Sequence, residues 1–397
     1  MKYNKWTVAL AAAGVVSLAS AAKAEERVNS VMTALSSTSI SGYVDTSAQW
    51  NIGTGNARLP DYKFGGSSKA DGFNLNVVQL RVEKPLSEEE WAAGYRFDLW
   101  AGPDANVLGT QSVNALGGSD FAVRQAYVAL RAPLQNGLDF KVGVFDSIIG
   151  YESVESGNNP NYTRSFGHSI EPQTHTGVLM SYRFSDLVSA SVGIANTAGP
   201  VINERAHGPN FSGATKAESS KTYMASVALT APENMSFLSG STLYAGIVNG
   251  FTDSYGENET SYYLGGTLAT PVTGLRLGVA LDVLDVHDLG GETWAVGGYA
   301  TYQATEKLSL HLRGEYLRDR GEQKFFVDSD ANATNPDRAF ALTATAQYDL
   351  WKNVISRLEL RWDHSLSGQE TWGGKDLDSS PNLKNEVMVA ANIIYKF

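Results

Sequence analysis

The apolar residues of this chain recur with a period of two. From position 40 one row reads Ile40, Gly42, Val44, Thr46, Ala48, Trp50, and the row between reads Ser41, Tyr43, Asp45, Ser47, Gln49, Asn51. Leu275, Leu277, Val279 and Leu281 alternate with Arg276, Gly278, Ala280 and Asp282, and Leu308, Leu310 and Leu312 with Ser309, His311 and Arg313. Successive side chains of a strand point to opposite faces, so each segment predicts a strand with one apolar and one polar face. Such segments fall at 40–52, 72–83, 91–100, 121–131, 138–145, 175–184, 188–197 and 222–230 in the first half. In the second half they fall at 241–249, 260–269, 275–286, 292–303, 308–318, 339–348, 354–364 and 385–397, sixteen in all. Many have the ~9–11 residues with which a tilted strand crosses a bilayer. The phase slips at Val77-Val78, which predicts a β-bulge there, and the fourth segment fits either face assignment poorly.

The connections alternate too. Odd-numbered ones, such as 53–71, 101–120, 146–174, 198–221, 319–338 and 365–384, are mostly long, and even-numbered ones are mostly short. The connections 231–240 and 287–291 depart from the rule. Long loops at one end and short turns at the other predict an up-and-down barrel. A Greek-key sandwich has no reason to alternate in this way, and no block repeats as a propeller or solenoid would require. A backbone in hydrocarbon is satisfied only in helices or in a closed sheet. The expected fold is therefore all-β, a transmembrane antiparallel up-and-down β-barrel of about 16 strands (range about 12–16) over 40–397.

The charged rows Arg96/Asp98, Asp139/Lys141, Arg276/Asp282, Arg313/Glu315 and Arg357/Glu359/Arg361/Asp363 are expected to line the lumen. On the lipid face each arginine would cost ~2–4 kcal/mol at mid-membrane. The outward rows place Trp50, Trp91, Phe184, Trp294, Tyr302, Tyr348 and Tyr395 near segment ends, in the manner of interfacial girdles. Sixteen strands leave an aqueous channel, whereas eight would be filled by side chains.

The first residues read as an address. Lys2 and Lys5 precede an apolar run at 8–18 and the Ala22-Lys23-Ala24 site of a secretory signal peptide, cleaved after Ala24. Removing that leader with its three lysines shortens the chain from 397 to 373 residues and takes its net charge from −11 to −14. Residues 25–39 carry Val28, Val31, Met32 and Leu35 at helical spacing, which suits a short periplasmic segment. Zero cysteine excludes a disulfide framework and thiolate chemistry. The excess of 42 acidic over 31 basic residues argues against a nucleic-acid partner.

The last strand alternates Val387, Val389, Ala391, Ile393, Tyr395, Phe397 with Glu386, Met388, Ala390, Asn392, Ile394, Lys396. Its end, Asn392-Ile393-Ile394-Tyr395-Lys396-Phe397, is similar to the terminal signature of Gram-negative outer-membrane barrels. Further motifs lie between 120 and 185: Arg124-Gln125-Ala126-Tyr127-Val128, Val142-Gly143-Val144-Phe145-Asp146, Ile149-Gly150-Tyr151-Glu152, and Asn158-Asn159-Pro160-Asn161-Tyr162-Thr163-Arg164-Ser165. Thr174-His175-Thr176-Gly177-Val178 closes the stretch. Together they resemble the beta-barrel porin-2 (OmpL-like) family of bacterial outer-membrane proteins. The resemblance implies passive passage of small hydrophilic solutes, residence in the outer membrane, and Tyr395 and Phe397 as the signal read by the barrel-assembly machinery. Partners are then outer-membrane lipid, lipopolysaccharide and a second copy of the chain, with no cofactor.

The connection 146–174 is the third long loop, and in general porins the corresponding loop narrows the lumen. Opposed charges at a constriction set a field and a size limit. Glu152, Glu155 and Arg164 are expected at the narrowest point, with Arg124 and Arg131 on the facing wall. The competing reading is a non-conducting adhesive or structural barrel. Enzymatic readings are weaker. His168, Glu171 and His175 share no known metal-ligand spacing, and His168-Ser169 lacks the partners a barrel phospholipase needs. Asp328, Asp330, Asp376 and Asp378 read as solvated loop charge.

Overall fold

A computed structural model describes residues 37–112, 118–207, 218–253, 256–287, 291–320, 337–376 and 378–397. The expected leader, most of the 25–39 segment, and Asp328 and Asp330 lie outside the described residues. The first eight strands are β1 (Ser39–Asn51), β2 (Gly72–Lys84), β3 (Ala93–Ala101), β4 (Phe121–Ala132), β5 (Leu138–Asp146), β6 (Thr174–Arg183), β7 (Val188–Ala195) and β8 (Thr222–Thr230). The second eight are β9 (Thr242–Phe251), β10 (Asn258–Ala269), β11 (Leu275–Val286), β12 (Gly291–Gln303), β13 (Leu308–Asp319), β14 (Arg338–Trp351), β15 (Val354–Ser365) and β16 (Asn385–Lys396). Each pairs antiparallel with its sequence neighbours, and β1 pairs with β16, so the sheet closes.

Closure leaves no edge in the hydrocarbon, and the alternation sorts the side chains. Leu277, Val279, Leu310, Leu312 and Leu358 face outward and are exposed, while Asp282, Arg313, Glu315, Glu359 and Arg361 are buried inside. Trp50, Trp91, Phe184, Tyr302, Tyr348 and Tyr395 are exposed near strand ends. Trp294 is half-buried and packs 5.2 Å, centroid to centroid, from Tyr316.

Two bulges re-aim inner side chains. The β1–β2 register jumps from Asp45↔Val77 to Thr46↔Leu75, so Asn76 is the extra residue beside the predicted phase slip. The β3–β4 register jumps from Asp98↔Gln125 to Leu99↔Val123, so Arg124 is extra and both Arg124 and Gln125 are buried inside. A strand with an added residue changes face midway, which is why the fourth segment fitted neither assignment.

The apolar clusters lie within the barrel, between wall and loops. Loop 147–173, hereafter L3, drops into the lumen and sets Ile148 and Ile149 against Leu179, Met224, Tyr244 and Val248. Two wall glycines make room for it. A Cβ on Gly246 would meet Ile149, and one on Gly278 would collide with the Tyr151 hydroxyl; the Tyr151 ring stacks 4.1 Å from Tyr299. Within L3 a short helix, α2 (Phe166–Ile170), starts at Ser165, whose hydroxyl accepts from the His168 amide at 3.0 Å. It follows α1 (Pro103–Leu108) in the second long loop.

Candidate pore constriction

The wall of β2–β4 gathers three guanidiniums at mid-height. Arg81 sits on β2, Arg96 on β3 and Arg124 on the β4 bulge. Asp98 accepts from Arg81 Nε at 2.9 Å, from Arg96 Nη2 at 2.7 Å and from Arg124 Nη1 at 3.1 Å. Glu155 of L3 enters the same cluster, bonded to Arg81 and lying 3.2 Å from Arg96 and 3.4 Å from Arg124. Arg124 also donates to Asp146 at 2.7 Å, where β5 runs into L3. Burial alone would raise the Glu155 carboxyl, but Arg81, Arg124 and Arg96 outweigh it and hold it at about 2.

A second cluster holds the rest of L3 to β13 and β15. Arg313 donates to Glu152 at 2.8 Å and to the Thr163 carbonyl at 2.7 Å, and its Nε lies 2.6 Å from Glu315. Glu315 in turn accepts the Phe166 amide at 2.6 Å. Glu359 receives the Tyr162 amide at 2.6 Å and the Thr163 amide at 3.0 Å. Arg357 caps the Asn159 carbonyl at 2.8 Å, and Arg361 the Arg164 carbonyl at 2.9 Å while pairing with Asp363 at 2.7 Å. Buried charges survive only when paired and hydrogen-bonded; Arg313, Glu315, Arg357, Glu359 and Arg361 each have a partner in L3, and Asp363 is paired by Arg361.

Glu155 and Arg124 therefore meet, but in contact rather than across an aperture. Glu152 is buried against Arg313 on the other side of L3. Arg164 braces L3 internally, donating to the Tyr162 carbonyl at 3.0 Å and the Val154 carbonyl at 2.8 Å. Arg131 is not part of the cluster. It pairs with Asp139 at 2.7 Å beside the β4–β5 turn, because seven residues of strand after Arg124 carry it ~23 Å along the wall. Arg276 likewise sits at the short-turn start of β11, away from Asp282.

The first long loop, 52–71, also folds inward, which the sequence reading missed. Phe64 is buried 5.8 Å from the Trp100 ring and under Arg164 at 5.5 Å. Its backbone lies in the left-handed region at φ 68°, a conformation that costs ~1–3 kcal/mol and persists when packing over-determines it. Tyr62 donates to Gln49 at 2.9 Å and stacks beneath Arg361 at 5.4 Å. Leu59, Tyr62 and Phe64 are the signal: a solvated loop has no use for three large apolar residues.

His168, Glu171 and His175 are not brought together. His168 Nδ1 lies 3.8 Å from Glu171, whereas His175 contacts Ser147 at 3.2 Å and the Thr197 carbonyl at 3.4 Å. Among the described residues no three His, Cys, Asp or Glu side chains are grouped to hold a metal. Burial, then Arg164 and Lys63, push the His168 imidazole well below its usual value, and burial, then Asp282 and Glu152, push Glu171 well above its own.

A closed barrel of sixteen strands with an apolar outside, a charged inside and the long loops 52–71 and L3 folded inward has the architecture of an outer-membrane porin. The sequence matches the family described as putative beta-barrel porin-2, OmpL-like, over residues 37–397, and the chain belongs to that family. No curated protein matches it. Among solved structures it is similar to the outer membrane channel DcaP of Acinetobacter baumannii, with TM-score 0.58 and 12% identity, over 92% of this chain and 99% of that one. An anion-selective porin from Comamonas acidovorans gives TM-score 0.57 at 13% identity, over 91% of this chain and 99% of that one. Salmonella typhi OmpF in complex with daunomycin gives 0.55 at 14%, over 91% and 97%. At such identities the likeness is one of fold.

Proposed function

We propose that this protein is a passive diffusion channel for small hydrophilic solutes and ions across the bacterial outer membrane, without an enzymatic step or cofactor. The carrying observation is the charged inner wall together with L3 folded inside the barrel and bonded to that wall. A lumen-facing row of Arg, Asp and Glu on many strands is the wall a water column requires, and an inserted loop limits the width of that column. In this reading Glu155 with Arg81, Arg96 and Arg124 edges the narrowest section, and Glu152 and Arg164 hold L3 in place. The short turns face the periplasm and the long loops face outward, after removal of residues 1–24 and with 25–39 as a periplasmic lead-in. Tyr395 and Phe397 serve the barrel-assembly machinery, lipopolysaccharide surrounds the outer rim, and the chain assembles as a homo-oligomer. Vibrio cholerae OmpT, a neighbour of similar fold at TM-score 0.54, has been seen in a trimer form.

The second reading, a non-conducting structural barrel, draws on the depth to which Tyr62 and Phe64 of the 52–71 loop and much of L3 are buried. Liposome swelling separates the two. Vesicles carrying the protein should swell in small sugars at a rate that falls with solute size, and vesicles as tight as protein-free ones refute the pore.

A further inference from the structure

The sequence has a net charge of −11, yet the acids and bases inside the barrel are not equally reachable by water. At the level of L3 the carboxylates are buried: Asp98, Asp282, Glu315 and Glu359 on the wall, Glu152 and Glu155 on the loop. Arg124, Arg164, Arg313, Arg357 and Arg361 are buried with them, whereas Arg81 and Arg96 stay partly exposed. In the β2–β4 cluster the Arg81 and Arg96 side chains keep 18% and 20% of their surface exposed, against 0% for Asp98 and 11% for Glu155.

The half of the lumen toward the short turns extends this layer. Inward positions there carry Lys141 on β5, Arg276 on β11 and Lys396 on β16, all partly exposed like Arg81 and Arg96. Lys141 holds its ammonium 4.9 Å over the Tyr127 ring, with no ion pair to a carboxylate among the described residues. The acids on the inner wall of that half are Glu83, Asp139 and Asp349. Asp139 is neutralised by Arg131 through two bonds of 2.7 and 2.9 Å, and in the turn Asp186 pairs with Arg183. The strands between, β7 to β10, contribute neutral inner residues there: Ser189, Ser191, Ser226, Thr242 and Thr267.

We propose that the pore prefers anions, its short-turn half forming a cation-lined vestibule that gathers small inorganic and organic anions at the constriction. The proposal rests on the diffusion-channel reading and gives its solute class. Rings of Lys and Arg select anions at close quarters, and a narrow, low-dielectric wall focuses their field. Exposed charge that lies beyond a Debye length of about 8–10 Å is screened. One unit charge at contact distance in water enriches the anion by about fivefold and depletes the cation by a similar factor.

The test uses the purified protein in planar bilayers under a KCl gradient of roughly tenfold at low ionic strength, where screening is weakest. Potassium and chloride have nearly equal mobilities, so the reversal potential reports the pore. The expected sign is that of chloride flow. The double variant Lys141→Glu with Arg276→Glu, its folding checked by heat-modifiable migration, should move the potential toward the cation side. A wild-type potential of cation sign, or a folded double variant that leaves it unmoved, overturns the anion preference alone. Absence of conductance in every preparation overturns the channel reading beneath it.

Discussion

Lys69 and Asp104 show what a single buried pair does in this fold. Lys69 closes the 52–71 loop and Asp104 opens α1, and their charges meet at 2.6 Å with side chains 8% and 10% exposed. Burial pushes the Asp104 carboxyl up to about 6 against the pull of Lys69. A carboxyl raised above its ordinary value favours the folded arrangement at low pH, and that contribution is lost as pH rises through about 6. Lys69→Met removes the compensating cation, so at pH 8 an unpaired carboxylate is left buried, a loss of about 3–5 kcal/mol. At pH 5 the carboxyl is largely protonated and the loss is small. Chymotrypsin cleavage after Tyr62 and Phe64 measures it: the variant should be cut much faster than wild type at pH 8 and nearly alike at pH 5. Equal cleavage at both values contradicts the account. None of this was legible in the sequence, because Lys69 and Asp104 lie in loops where charge ordinarily means solvent. Arg124 was half legible: the broken alternation of the fourth segment betrayed an irregularity, and only the register showed it to be a bulge. Arg131 misled for a related reason, since nearness in sequence along a strand is distance along the wall.

At the scale of elements, L3 is fastened by two acids with opposite responses to pH. Glu155, held at about 2 against burial by Arg81, Arg124 and Arg96, stabilises docking above its ordinary range and loses that contribution as pH falls toward 2. Glu171 shares a hydrogen bond with Asp282 of β11 and is pushed well above the usual carboxylate range by burial, then by Asp282 and Glu152; His168 lies 3.8 Å away. Its contribution is complete at low pH and is lost as pH rises through the raised value. Each pH unit of such a shift is worth about 1.4 kcal/mol. Channel recordings across pH should therefore show a docked plateau flanked by noisier, wider states at both extremes. Glu171→Gln should flatten the alkaline arm and Glu155→Gln should weaken docking at neutral pH; an alkaline arm that survives Glu171→Gln removes the carboxyl pair as its cause. The length and mixed charge of L3 were readable from 146–174, as were all sixteen strands to within a few residues. The inward fold of the 52–71 loop was not, since its docking depends on Trp100 and Arg361, which are distant in sequence.

For the whole molecule the decisive contact is the longest in sequence. Every other strand pair is a neighbour along the chain, while β1 meets β16 in a register running from Tyr43↔Lys396 to Asn51↔Met388. Gly42 and Phe397 then exchange backbone bonds of 2.9 and 3.0 Å beyond the last ladder pair. Local hairpins form readily, and a contact that closes the full chain length comes last because loop entropy must be overcome first. Until it forms, β1 and β16 carry free N–H and C=O groups along their open edges, each costing several kcal/mol in hydrocarbon. Deleting 385–397 should consequently abolish the SDS-resistant, heat-modifiable species altogether, and not merely lower its melting temperature. Deleting Phe397 alone removes one bonded pair, so refolding into detergent micelles should succeed. The yield of that variant in the outer membrane then tests whether the terminal residue is needed for assembly apart from its part in closure. A heat-modifiable product from the 385–397 deletion would mean that fifteen strands can close by another register, and that the β1–β16 seam does not determine the barrel.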